Sequence, residues 1–163
     1  MSDDIKTFLP FSLPDISELE IQEVVQTLRS GWVTTGPKTK QFEQDFINYL
    51  GDDTLEAIAV NSATSGLHLA LEAVGVKSGD EVIVPTYTFT ATAEVVRYLG
   101  AHPVFVDSDK KTYCIDVNLI EKAITPKTKA IIPVHFAGLS ADMDAILKIA
   151  KKYNLKVIED AAH

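Results

Sequence analysis

Along the chain, apolar positions recur first at helical spacing and later in short continuous runs. Ile16, Leu19, Ile21, Val24, Val25 and Leu28 give one side of an amphipathic helix, with Asp15 or Ser17 placed to cap its start and Gly31 to stop it. Before it, residues 10–14 read as a stiff, extended lead-in framed by Pro10 and Pro14. A second amphipathic stretch carries Phe42, Phe46, Ile47 and Leu50 and ends at Gly51-Asp52-Asp53. From Glu56 the pattern changes. β-rich runs at 57–60, 81–85, 103–106, 130–135 and 156–159 alternate with helical stretches at 65–74, 90–99, 117–124 and 143–153. Several runs are apolar throughout, the habit of strands covered on both faces. The expectation is an α/β fold, a mostly parallel sheet with helices on both faces.

In such sheets ligands bind at the carboxyl ends of the strands, and the polar clusters at 61–65, 86–90, 107–109, 135–138 and 160–163 follow the runs directly. The first cluster stands between an apolar run and a helix that starts near Ser65. Ser62, Ala63, Thr64, Ser65 and Gly66 are too small to shield the backbone, so N–H groups and hydroxyls at the helix N-terminus can face an anion such as phosphate. The alternative is that Ser62 or Thr64 only caps the helix. After the second run, Tyr87 is read as core filling, while Phe89, at the turn into the helix, is open to core filling or to stacking on a planar heterocycle. After the last run, Glu159 and Asp160 point to opposite sides of a strand, so one of them can enter a pocket. There an ionised carboxylate would hold a ring nitrogen protonated; otherwise it caps a helix or joins a surface ion pair. A phosphate cradle, an aromatic face and a carboxylate on one sheet edge suit a flat, phosphorylated, basic heterocycle such as pyridoxal phosphate.

Composition narrows the partners. The net charge of −8 over 163 residues and a pI near 4.9 oppose a nucleic-acid backbone, and the basic residues form no stripe. With 46% hydrophobic residues the chain can bury a core, yet no apolar run approaches the ~20 residues needed to span a bilayer. Cys114 stands alone, which excludes an internal disulfide framework and a CxxC metal site, and Met1-Ser2-Asp3-Asp4 does not begin a signal peptide; a cytoplasmic protein is expected. His68, His102 and His135 lack metal-ligand spacing. Residues 31–39 nearly spell a phosphate loop, but Pro37 intrudes before Lys38 and a helix precedes it, so that reading is rejected. Asp107-Ser108-Asp109 ends an apolar run as a D-x-D phosphatase nucleophile does, although Lys111 stands where that motif wants Thr, and Thr112 takes the glycine position of a calcium loop.

Taken together, Gly31-Trp32-Val33-Thr34-Thr35-Gly36-Pro37 with Phe42-Glu43, Asn61-Ser62-Ala63-Thr64-Ser65-Gly66-Leu67-His68, Val84-Pro85-Thr86-Tyr87-Thr88-Phe89, Pro133-Val134-His135 and Glu159-Asp160-Ala161-Ala162-His163 resemble the DegT/DnrJ/EryC1/StrS family. The resemblance runs from about Ser12 to His163. It implies the aspartate-aminotransferase-like fold (fold type I), with residues 1–55 as a helical arm and loop and 56–163 as the N-terminal part of the cofactor-binding large domain. It implies pyridoxal phosphate as cofactor. Ala63, Thr64 and Ser65 would hold its phosphate, Phe89 would stack on the ring, Asp160 would pair with the ring nitrogen, and His163 would lie near the ring hydroxyl. Thr34, Thr35 and Gly36 match a loop near the substrate. Family members are homodimers of polysaccharide biosynthesis that mostly aminate nucleotide-linked keto sugars, with glutamate as the usual amino donor; a minority are dehydratases. The lysine that forms the Schiff base in that family would lie beyond His163. Lys77, Lys110, Lys111 and Lys127 match no such position and read as solvated surface. A fragment of a longer enzyme, or a truncated gene product, inactive alone and prone to aggregate or dimerise, is therefore expected. The alternatives are a non-catalytic domain that binds pyridoxal phosphate without a covalent link or associates with another chain, and the D-x-D phosphatase.

Overall fold

The computed structural model describes residues 13–163, so the start of the lead-in expected at 10–14 and the charged N-terminus lie outside the described residues. The chain divides into two compact units, 1–59 and 60–163.

In the first unit, α1 (Glu18–Ser30) opens on a capping box. Ser17 Oγ accepts from the Leu19 N–H at 3.2 Å, and Glu20 Oε2 accepts from the Ser17 N–H at 2.6 Å. Helix α2 (Pro37–Leu50) begins with Pro37 in its first turn, where a missing N–H costs nothing. That is why residues 31–39 make a helix start and no phosphate loop. Gly31 and Gly51 end the two helices at φ 72° and 70°, the left-handed region that favours glycine. Between them the Trp32 Nε1–H donates to the Thr35 carbonyl at 3.0 Å, and the indole covers Gly36 so closely that a Cβ there would sit 2.0 Å from Nε1. No residue of α1 or α2 is buried.

The run at 57–60 corrects the sequence reading. It pairs with no strand among the described residues, and Ile58 is 78% exposed. The Ala59 N–H donates to Glu43 Oε1 at 2.8 Å instead. Apolar composition can mark a strand, but a hydrogen-bonded neighbour makes one.

The second unit runs α3 (Ala63–Ala73), β1 (Glu81–Pro85), α4 (Ala91–Tyr98), β2 (His102–Val106), α5 (Val117–Ala123), β3 (Thr128–Ile131), a 3₁₀ turn at Phe136–Gly138, α6 (Met143–Tyr153) and β4 (Lys156–Val157). Its four strands are all parallel, in the order β2-β1-β3-β4. Residues of one strand alternate between two cores. Val82, Val84, Ala130 and Ile132 meet Leu67 and Leu71 of α3 and Val95 and Val96 of α4. Ile83 and Ile131 meet Ile120 of α5 and Ile146 and Ile149 of α6. The sheet is thus covered on both faces, which accounts for its uniformly apolar strands. β3 and β4 are shorter than their apolar runs because Pro133 cannot donate to the ladder. Pairing resumes beyond it at a single bridge, Val134 to Asp160.

The connection leaving β1 crosses one face to β2, whereas those leaving β2 and β3 cross the other face in the opposite direction. β1 and β3 are neighbours whose following segments part to opposite sides. Their carboxyl ends therefore frame the crevice in which an α/β sheet binds its ligands.

Candidate functional site

A cleft of about 350 Å³ opens at this point, within the size range of small-molecule sites. Ala63, Thr64 and Leu67 of α3 line it, with Tyr87, Thr88 and Phe89 after β1, Val134, His135 and Phe136 after β3, and Asp160, Ala162 and His163 after β4. Of the residues singled out from sequence, Ala63, Thr64, Phe89, Asp160 and His163 share this cleft. Ser65 is in the same first turn of α3, and Thr34, Thr35 and Gly36 belong to the first unit, between α1 and α2.

The α3 terminus divides its donors. Ser62 Oγ accepts from the Ser65 N–H at 3.2 Å, and the Gly66 N–H donates to the Ser62 carbonyl at 3.1 Å. Ser62 is thus the cap. The first helical N–H groups, on Ala63 and Thr64, have no intrahelical acceptor and remain available to an anion. Ser65 Oγ donates to Asn61 Oδ1 at 2.7 Å.

Asp160 is the best-anchored group of the cleft. Its N–H donates to the Pro133 carbonyl at 2.9 Å, and its carbonyl accepts from the His135 N–H at 3.0 Å. Oδ2 accepts from Thr92 Oγ1 at 2.8 Å, and Oδ1 from the Ala162 N–H at 3.3 Å. Because the Thr92 proton is committed to Asp160, Thr88 Oγ1, 2.7 Å away, is the donor to Thr92. Asp160 is only 8% exposed, yet among the described residues no Lys, Arg or His forms an ion pair with it. A buried carboxylate of this kind is costly without a cationic partner. A ligand with a protonated ring nitrogen supplies one. Glu159, the adjacent acid, turns outward and accepts from His135 Nε2 at 2.8 Å.

Tyr87 departs from its expected role as core filling. It is 51% exposed, and its ring lies 4.9 Å from Phe136 and 5.7 Å from Tyr113. Phe89 is 77% exposed on the cleft wall, where an aromatic ring can stack on a planar ligand. His163 Nδ1 accepts from the Ala137 N–H at 3.1 Å. The set of residues therefore suits a flat heterocycle bearing an anionic arm and a basic ring nitrogen.

The D-x-D pair has other work. Asp107 Oδ1 accepts from Thr86 Oγ1 and the Ser108 N–H, at 3.1 and 2.9 Å. Asp109 Oδ1 accepts from the N–H groups of Lys111 and Thr112, at 2.9 and 3.0 Å. The Thr112 N–H, then that of Lys111, holds the Asp109 carboxyl below the usual range. Both acids brace turns, and among the described residues no group of three His, Cys, Asp or Glu could hold a metal ion.

Sequence reasoning passed over Thr92, which is fully buried and orients Asp160. A lone Thr in the apolar stripe of a helix was the available signal, and it looks like any β-branched core residue.

Comparison with known proteins agrees with this geometry. The sequence profile described as the DegT/DnrJ/EryC1/StrS aminotransferase family matches residues 14–163. An uncharacterized protein of Methanocaldococcus jannaschii is 57% identical over 97% of this chain and 40% of its own length. The spore coat polysaccharide biosynthesis protein SpsC of Bacillus subtilis is 53% identical over 96% of this chain and 40% of its own length. The chain thus spans about two fifths of these relatives. A candidate sugar aminotransferase of Streptococcus pneumoniae, solved in its PLP form, superposes with a TM-score of 0.88 at 44% identity, covering 95% of this chain and 43% of that one. The fold is that of the fold type I pyridoxal-phosphate aminotransferases. No helix among the described residues is long and apolar enough to cross a membrane.

Proposed function

The chain belongs to the DegT/DnrJ/EryC1/StrS aminotransferase family, and from that premise we propose that it forms the cofactor-binding part of a pyridoxal-phosphate-dependent aminotransferase acting on a sugar. The observation that carries this reading is Asp160, a buried carboxylate without a cationic partner among the described residues, in a cleft shared with the N-terminus of α3.

When bound, pyridoxal phosphate supplies an electron sink through its protonated ring. Asp160 keeps the proton on the ring nitrogen, and Thr92 holds the carboxylate in place for that task. The N–H groups of Ala63 and Thr64, with the Thr64 hydroxyl, would hold the phosphate, and the Ser65 hydroxyl would join them on giving up its hydrogen bond to Asn61 Oδ1. Phe89 covers one ring face and shields it from water. His163 donates to the ring oxygen. In the same reading Thr34, Thr35 and Gly36 meet the substrate, residues 1–55 serve as an arm, and 56–163 begin the large domain. The substrate is a nucleotide-linked keto sugar, the donor is glutamate, and the product enters polysaccharide synthesis, as the name of SpsC suggests. The protein works as a homodimer in the cytoplasm, where the single buried thiol of Cys114 stays reduced.

The test is an absorbance titration of the chain with pyridoxal phosphate, repeated on Asp160→Ala. Saturable binding that weakens on the order of 10- to 100-fold in the variant, the loss of one charged hydrogen-bonded pair, is expected. Binding indifferent to Asp160, or no saturable binding, overturns the assignment. Turnover of a full-length relative with free keto sugars only would overturn the nucleotide-linked substrate.

A further inference from the structure

Between β3 and α6 the chain turns sharply at the rim of the cleft. With one imidazole His135 closes this turn on Ala141 and ties it to Glu159, beyond β4. Nδ1 accepts from the Ala141 N–H at 3.1 Å, which places the ring proton on Nε2, and Nε2 then donates to Glu159 Oε2 at 2.8 Å. The His135 side chain is 14% exposed, shielded from competing water, whereas Glu159 is largely exposed. Within the closed turn Ala137 sits at φ 51°, a conformation that L residues other than Gly, Asn and Asp adopt only when their surroundings enforce it. In that conformation the Ala137 N–H reaches His163 Nδ1. The ring of Phe136 stands edge-on to His163 at 6.3 Å.

We infer that His135 is a positioning residue for the cleft: by clamping residues 136–141 it holds Ala137 in the left-handed conformation, and the Ala137 N–H fixes His163 as the Nε2–H tautomer. The remaining hydrogen-bonding group of His163 is then a donor, suited to an anionic or phenolic oxygen in the cleft. Two histidines thus act in series, each with Nδ1 accepting a backbone N–H. His135 sets the loop, and His163 meets the ligand. The ligand end of this chain rests on the cofactor assignment above; the clamp itself does not.

Backbone amide exchange on the chain, referenced to the core amide of Ile83, tests the clamp. His135→Asn keeps an acceptor near the Nδ1 position, and His135→Gln does not. Asn is expected to leave the Ala141 and Ala137 amides within about twofold of the native rate, and Gln to accelerate both by about tenfold, the effect of one lost hydrogen bond. At the other end, His163→Asn keeps the acceptor and the slow Ala137 amide, and His163→Gln loses it. The His163 pair keeps the test decisive if a His135 variant fails to fold. Acceleration at Ala141 with Ala137 unchanged, or an Ala137 amide indifferent to both His163 variants, overturns the inference. Absence of pyridoxal phosphate binding by the native chain, with the exchange pattern intact, refutes the cofactor assignment and leaves the clamp standing.

Discussion

The two units of the chain reach regular structure by different means. In the first, α1 and α2 carry the expected caps and stops, Ser17 with Glu20 and Gly31 for one, Pro37 and Gly51 for the other, and yet bury no residue. In the second, α3, α5 and α6 are also capped, by Ser62, Asp116 and Asp142, and α4 starts without a side-chain cap as α2 does, but here every strand and helix contributes to one of two cores. Short-range chemistry therefore sets where a helix starts and ends. Burial decides how firmly it is held, since isolated helices of 13 or 14 residues are marginal in water.

Truncating the core should expose the contrast most strongly. Ile83→Ala in β1 is expected to cost about 2–5 kcal/mol in chemical unfolding followed by fluorescence, while Phe46→Ala on the uncovered side of α2 should stay within about 0.5 kcal/mol. Equal losses would show that the apolar side of α2 is covered in solution and would erase the distinction. A smaller effect belongs to the cap. Ser17→Ala should cost about 1 kcal/mol of local helix stability, visible as faster amide exchange through α1 with the rates in β1 unchanged. If β1 also loosened, the two units would share one cooperative transition. The smallest effect is a pH dependence of the second unit. The folded pKa of Asp109 is depressed by the backbone N–H of Thr112 and then of Lys111, so its contribution is fully present above the unfolded value and is lost as pH falls through the folded one. The stability gap between the native chain and Asp109→Ala should therefore narrow on acidification below the ordinary Asp range. A gap that widens would reverse the assigned sign.

The same contrast explains what could be read from sequence. β1 was legible to the residue because Val82-Ile83-Val84 lies between Asp80 and Pro85 and is buried on both sides. The run at 57–60 looks equally strand-like but lacks a partner, and a partner is a property of other parts of the chain. Asp160 was legible because an acid closing an apolar strand is unusual. Its supporter Thr92 and the clamp residue His135 were not, since their roles depend on contacts 68 and 24 residues distant in sequence. Tyr87 was misread because an aromatic at a strand end fits a core or a cleft wall equally well until the fold decides.

The parting of the chain after β1 and β3 has a consequence in time. The α3 wall of the cleft, at Ala63 and Thr64, is made near the beginning of the second unit, and its carboxylate near the close of the described residues, at Asp160. At synthesis rates of roughly 5–20 residues per second, about 5 to 20 seconds separate the two as the chain emerges. Through that interval the helix terminus exists without its opposite wall. On the cofactor assignment proposed above, ligand capture waits until all four described strands are made, and a chain stalled midway cannot hold the cofactor.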